Sequence, residues 1–152
     1  LGRGDECQFK DSVFSVSSLL KPSQAFARHL VSEEKGWKII NIASMLSFQG
    51  SIRVPSYTAS KSGVGGLTKA LANEWVGRNI NVNAIAPGYF ETNNTAALRA
   101  DTKRNAEILS RIPSGRWGQS SDLSGAIIFL TSAASDYVQG IILPVDGDWL
   151  AW

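Results

Sequence analysis

Three short runs along the chain concentrate apolar, β-branched residues. They are "WKIINIAS" at 37–44, "NINVNAIAPG" at 79–88 and "GIILPVDG" at 140–147. Each has the length and composition of a strand covered on both faces. Between them the apolar period lengthens. In "SYTASKSGVGGLTKALANEWVGR" Val64, Leu67, Leu71 and Trp75 recur at helical spacing. A helix is expected from about Asn94 to Leu109. Another is expected in "SSDLSGAIIFLTSAAS", which opens on a serine/aspartate cap signal and continues through Leu123, Ile127 and Leu130. Upstream, "PSQAFARHLVSEEKG" puts Ala25, Phe26, His29 and Leu30 on one helical face, with Gly36 as its stop. Residues 1–22 carry no sustained period and read as an irregular segment.

Strands alternating with helices at this spacing imply right-handed crossovers and a parallel sheet with helices over it. The expected class is therefore α/β, with one domain unit over 23–152. Three strands are few for such a sheet, and no glycine-rich phosphate turn follows an early strand. Half of the sheet expected for such a fold is missing from the pattern.

Composition narrows the function classes. A net charge of +2, with its basic residues scattered, does not point to nucleic acid. No apolar run has the length of a membrane span, and the first ten residues lack the apolar core of a signal peptide. One cysteine and one histidine offer neither a disulfide framework nor a His/Cys metal site. The expectation is a cytoplasmic protein without a metal.

Against that background "SMLSFQGSIRVPSYTASK" stands out. Ser44 closes the first strand, at the sheet edge where ligands bind in open α/β folds. Tyr57 and Lys61, four apart at the start of the next helix, share a face. A phenol with pKa of about 10 is a poor base at neutral pH, and a neighbouring ammonium favours its ionised form. Lowering it by ~3 units corresponds to ~4 kcal/mol. Tyr57 could then exchange a proton with an alcohol or carbonyl, while Ser44 holds the oxygen. On spacing alone, a solvated Tyr–Lys pair and a serine that hydrogen-bonds a helix or loop are the simpler readings.

Ser44, Tyr57-Thr-Ala-Ser-Lys61, "NVNAIAPGYFET" and "DYVQGIILPVDGDW", in that order, resemble the motifs of the short-chain dehydrogenase/reductase family, most closely its sugar-acid dehydrogenases. The resemblance covers residues 23–152 and implies that they are the C-terminal part of a Rossmann-type doubly wound parallel sheet. It implies that Tyr57 is the proton donor and acceptor, and that Lys61 tunes it and binds the ribose of NAD or NADP. Ser44 would orient the reacting oxygen. Pro87, Gly88, Phe90 and Thr92 would lie along the nicotinamide. The segment 89–116 would form a substrate lid, with Asn94 among the groups contacting a sugar acid, and Asn93, Arg99 and Arg104 as further polar candidates. For Pro87-Gly88 a plain turn, and for Thr92 a helix cap, are the simpler local readings.

The family's glycine turn is not found, leaving only half a cofactor site. Where a fourth catalytic residue, an asparagine, is expected, the chain reads Phe9-Lys10-Asp11-Ser12. Asp148 stands where a glycine is usual, and strain is expected there if φ is positive. The implied activity is reversible oxidation of a secondary alcohol on a sugar acid. The alternative is a remnant without turnover, serving at most as an oligomerisation partner of full-length relatives. Either way a homo-oligomer or such a partnership is expected, through the helices around 57–77 and 121–133.

Overall fold

The computed structural model describes residues 4–30 and 36–151, with side chains from residue 16 onward. Three strands, β1 (Trp37–Ile42), β2 (Ile80–Pro87) and β3 (Ile142–Val145), form one parallel sheet in the order β1-β2-β3. Registers pair Trp37 with Ile80 through Ile42 with Ile85, and Ala84 with Ile142 through Pro87 with Val145. The helices are α1 (Gly4–Leu30), α2 (Pro55–Trp75), α3 (Ala96–Ala100), α4 (Thr102–Leu109) and α5 (Ser124–Thr131). The fold class is α/β, as expected.

The period-two alternation of β2 separates two cores. Ile80, Val82, Ala84 and Ala86 point to α1 and α2, against Ala27, Val64, Leu71, Ala72 and Trp75. Asn81 and Asn83 point to the other side. The Asn83 amide donates to Val138 O (2.9 Å) and its oxygen accepts from Ile141 N (3.0 Å). Asn81 Nδ2 donates to Asp136 O (2.9 Å) and Val138 O (3.1 Å). Both side chains are buried. They replace the backbone partners that an irregular loop would otherwise lack. On the α2 side, buried Asn41 donates to Thr68 Oγ1 (3.0 Å), which itself donates to Val64 O (2.8 Å).

Four expectations need correction. β1 is not buried on both faces: it has one strand neighbour among the described residues, and Ile42 is half exposed. The helix expected from Pro22 instead occupies Gly4–Leu30, with Pro22 inside it, where an irregular segment was expected over 1–22. Proline supplies no N–H to the preceding turn. Packing on the sheet and α2 offsets that loss: Leu19 and Leu20 join the two cores, and Val16 meets Gly63. The buried face is also not the expected one. It runs through Ala27 and Leu30, whereas Ala25, Phe26 and His29 are exposed, with Phe26 edge-on to Trp37. Finally, the helix expected from Asn94 to Leu109 breaks at Asp101. That residue turns extended (ψ 104°), and its carboxylate accepts from Arg104 N to cap α4. The side chains of Phe9 to Ser12 lie outside the described residues.

Candidate active site

The carboxyl ends of β1 and β2 bring the sequence-identified residues to one edge of the sheet. The β1 ladder extends one residue, with Ala43 N donating to Ile85 O (2.8 Å). Ser44 then leaves in extended conformation and caps a short 3₁₀ turn, Met45–Ser47, by accepting from Leu46 N at 3.2 Å. Its side chain is buried. The capping role of a loop serine is therefore present, and it does not use the hydroxyl's own proton.

The helix α2 starts at Pro55, where a missing N–H costs nothing. Two turns carry Tyr57 and Lys61. The Tyr57 ring is 45% exposed, and its hydroxyl has no hydrogen bond to any described residue. Lys61 Nζ donates to the carbonyl of Ile42 at 2.9 Å and lies 5.7 Å from the centre of the Tyr57 ring. Burial pushes the Lys61 pKa below its ordinary 10.5. One of its three N–H groups is used, which leaves two for other acceptors. The Ile42 carbonyl was not anticipated from the sequence, since a backbone acceptor leaves no residue signature.

Beyond Pro87 the chain meets the end of β3. Gly88 N donates to Val145 O (2.9 Å), and a β-carbon on Gly88 would come within 2.6 Å of Asp146 Cα. Gly88 thus has a structural reason in the fold, the close approach of Asp146 rather than a turn. Phe90 is buried against Gly118, and its carbonyl accepts from Thr95 Oγ1 (2.6 Å). Thr92 caps the turn Asn93–Thr95: its N–H donates to Thr95 Oγ1 (3.0 Å), and the two hydroxyls lie 3.4 Å apart. Asn94 is exposed. The segment 89–116 packs beside Ser44. Met45, Ile108, Ile112, Trp117 and Trp149 form one cluster, with Tyr89 edge-on to Trp117 and tilted against Trp149. Arg104 is committed to Glu107 (3.0 Å), whereas Arg99 reaches only Thr92 O (3.3 Å).

A phenol without a partner, an adjacent ammonium and a serine at the carboxyl edge of a parallel sheet can exchange a proton with a bound oxygen. Comparison with known proteins gives this edge its context. A family model described as Enoyl-(Acyl carrier protein) reductase matches residues 10–148. The chain belongs to the short-chain dehydrogenase/reductase family. Its members are oxidoreductases. It is 66% identical over 137 residues to the 2-dehydro-3-deoxy-D-gluconate 5-dehydrogenase of Escherichia coli K12, covering 90% of this chain and 54% of that protein. The Bacillus subtilis enzyme of the same name is 58% identical over the same shares of the two chains. Among solved structures, one from Agrobacterium tumefaciens, assigned as a 2-deoxy-D-gluconate 3-dehydrogenase with bound NADP, superposes with a TM-score of 0.88. It is 64% identical and covers 91% of this chain and 56% of the other. A gluconate 5-dehydrogenase from Burkholderia cenocepacia, in complex with NADP and tartrate, gives 0.82 at 44% identity, with 86% and 51% covered. The chain spans about half the length of the curated relatives it matches. Among the described residues no helix is long and apolar enough to cross a membrane.

Proposed function

We propose that this chain carries the acid–base half of an NAD(P)-dependent sugar-acid dehydrogenase, acting on a secondary alcohol or the corresponding ketone. The observation that carries the reading is the unbonded Tyr57 hydroxyl, with Lys61 Nζ 5.7 Å from its ring centre and Ser44 just past the end of β1, in a chain 66% identical to a dehydrogenase named for a sugar acid. In oxidation Tyr57, as phenolate, takes the proton from the substrate hydroxyl; in reduction it returns one to the carbonyl oxygen. Ser44 Oγ still has its proton and donates it in a hydrogen bond to the same oxygen.

The residues present fit a nicotinamide riboside. Two Lys61 N–H groups are available for ribose hydroxyls, and the Thr92 hydroxyl and the backbone at Pro87, Gly88 and Phe90 form a polar rim. The nicotinamide, when bound, supplies the hydride acceptor or donor. The NADP in the Agrobacterium and Burkholderia structures supports this choice of group. Asn94, exposed at the lid, is proposed to face the sugar acid's hydroxyls.

Titration of the purified chain with NADPH and with NADH, followed by energy transfer from its tryptophans, tests the reading. Saturable binding, weakened by about tenfold or more in Lys61→Ala (~1.4 kcal/mol), is expected. Tyr57→Phe should bind as the parent does and lose turnover of sugar acids. No binding by a well-folded chain would instead support the remnant reading, in which the trio persists without a working cofactor site.

A further inference from the structure

Ser44 and Tyr57 belong to different elements, one at the end of an edge strand and the other on a helix, joined by the turn-rich stretch 48–54. That stretch is mostly exposed, and Arg53 within it sits at φ 64°. Nothing in it dictates where the serine stands relative to the phenol. Two hydroxyls that lie outside the family-like trio do. Ser47 Oγ donates to the carbonyl of Lys61 at 2.6 Å, from the 3₁₀ turn to the helix. Ser62 Oγ donates to the carbonyl of Leu46 at 3.2 Å, from the helix back to the turn. The two bonds run in opposite directions between adjacent pairs of residues, Leu46–Ser47 and Lys61–Ser62. They join the turn that begins at Ser44 to the helical turn that ends at Lys61.

The site is built to let them meet. Gly65, one helical turn beyond Lys61, is buried. A β-carbon there would stand 3.6 Å from Ser47 Cβ and 2.9 Å from Ile142 Cδ1, so the absence of a side chain brings the helix against the turn. The 3₁₀ turn has its own closure, with Ser47 N donating to Ser44 O (2.9 Å) and Phe48 N to Met45 O (2.9 Å). A shift of Ser47 is therefore transmitted to Ser44 through one hydrogen-bonded ring. A third link, Lys61 Nζ to Ile42 O at 2.9 Å, joins the same helical turn to the last residue of β1.

We propose that Ser47 and Ser62 are positioning residues. They form a reciprocal clasp that fixes the distance between Ser44 and the Tyr57–Lys61 face. Their role rests on the dehydrogenase reading only in what the clasp is for; its existence and its mechanical effect can be tested without substrate or cofactor. Each hydroxyl donates to a carbonyl, so the clasp needs the donor and not the shape. Threonine keeps the donor and alanine removes it.

The test uses Ser47→Ala, Ser62→Ala and Ser47→Thr in the full chain, with two readouts. Amide hydrogen exchange reports on the 3₁₀ turn, and the side-chain NMR titration of Lys61 reports on its surroundings. In Ser47→Ala the amides of Ser47 and Phe48 are expected to exchange about five- to tenfold faster, as befits the loss of one hydrogen bond. Amides of Thr68 and Leu71, further along α2, should stay as they were. The Lys61 titration should move up towards its ordinary range as water reaches the loosened turn, and Ser47→Thr should restore both. Ser62→Ala, at an exposed position, should give the smaller form of the same changes and guards against a Ser47→Ala chain that fails to fold. A pair that only stabilises the fold would lower Tm and leave the turn amides and the Lys61 titration unmoved, and that result overturns the proposal. If the clasp responds as expected while NADPH fails to bind, the dehydrogenase reading falls and the clasp stands.

Discussion

Asp148 shows how a single backbone angle decides a residue's cost. It adopts φ 77°, a left-handed conformation that disfavours any side chain with a β-carbon. Its amide donates to Asp146 Oδ1 (3.1 Å), and the same carboxylate accepts from Leu150 N, so the turn is held in spite of the strain. Asp148→Gly is expected to raise stability by ~0.5–1 kcal/mol in urea unfolding, since glycine adopts that angle without penalty. Gly147 beside it is the converse case. At φ 67° a β-carbon would collide with Ser114 Oγ, and Gly147→Ala should cost ~2 kcal/mol or more. The strain at 148 was legible in the sequence, because an aspartate stands where a glycine is usual. The clash at 147 was not, because Ser114 is distant in the chain. Lys61 gives a second residue-scale outcome. Its folded pKa lies below 10.5, so between that lowered value and 10.5 the unfolded chain binds more protons and stability rises with pH. Below the lowered value the cost of burying the ammonium is present in full. Lys61→Met should therefore melt at a higher temperature than the parent at pH 7, and the difference should shrink as pH approaches 10.5.

Elements here are held by side chains that substitute for missing backbone partners. Asn83 closes the approach to β3, and Asn83→Leu would leave both Val138 O and Ile141 N without it. A loss of ~2–3 kcal/mol is expected in chemical unfolding, near the upper range for buried unsatisfied groups. A carboxylate organises the entry to α5. Asp122 accepts from Gln119 N and pairs with Arg116 through two bonds of 2.7 and 3.0 Å. The Arg116 hydrogen bond is the chief cause that lowers its pKa to about 2. The contribution is present above the ordinary value of 3.8 and is lost as pH falls through about 2. The Gln119 amide should accordingly begin to exchange freely in that window, while β2 amides hold. The three strands and α2 were readable because their periods are unbroken, although β1 and β3 leave part of their apolar surface uncovered. The first helix was not. Its period is weak, its proline argues for a boundary, and only contact with Gly63 and the sheet reveals why the helix continues. The lid was read as one helix because its composition stays helical across Asp101. A cap inside a helical run is legible only once the chain is seen to turn there.

For the molecule as a whole, the sheet is asymmetric in support. β2 has a strand on both sides and is buried along nearly its whole length, whereas β1 has a neighbour on one side among the described residues. β1 amides are expected to exchange at least about tenfold faster than those of β2. A single ion pair, Lys38 to Asp136 at 2.7 Å, ties the outer strand to the loop after α5, and an exposed pair adds little. The strand that leads into Ser44, and whose last carbonyl grips Lys61, is thus an edge strand, as β3 is on the other side. Heating should consequently disable this chain in two stages. The serine and its lysine anchor drift apart while circular dichroism still reports a folded protein, and only later do β2 and α2 let go. A working temperature read from the melting curve would then be too generous, because the outer strand sets the limit.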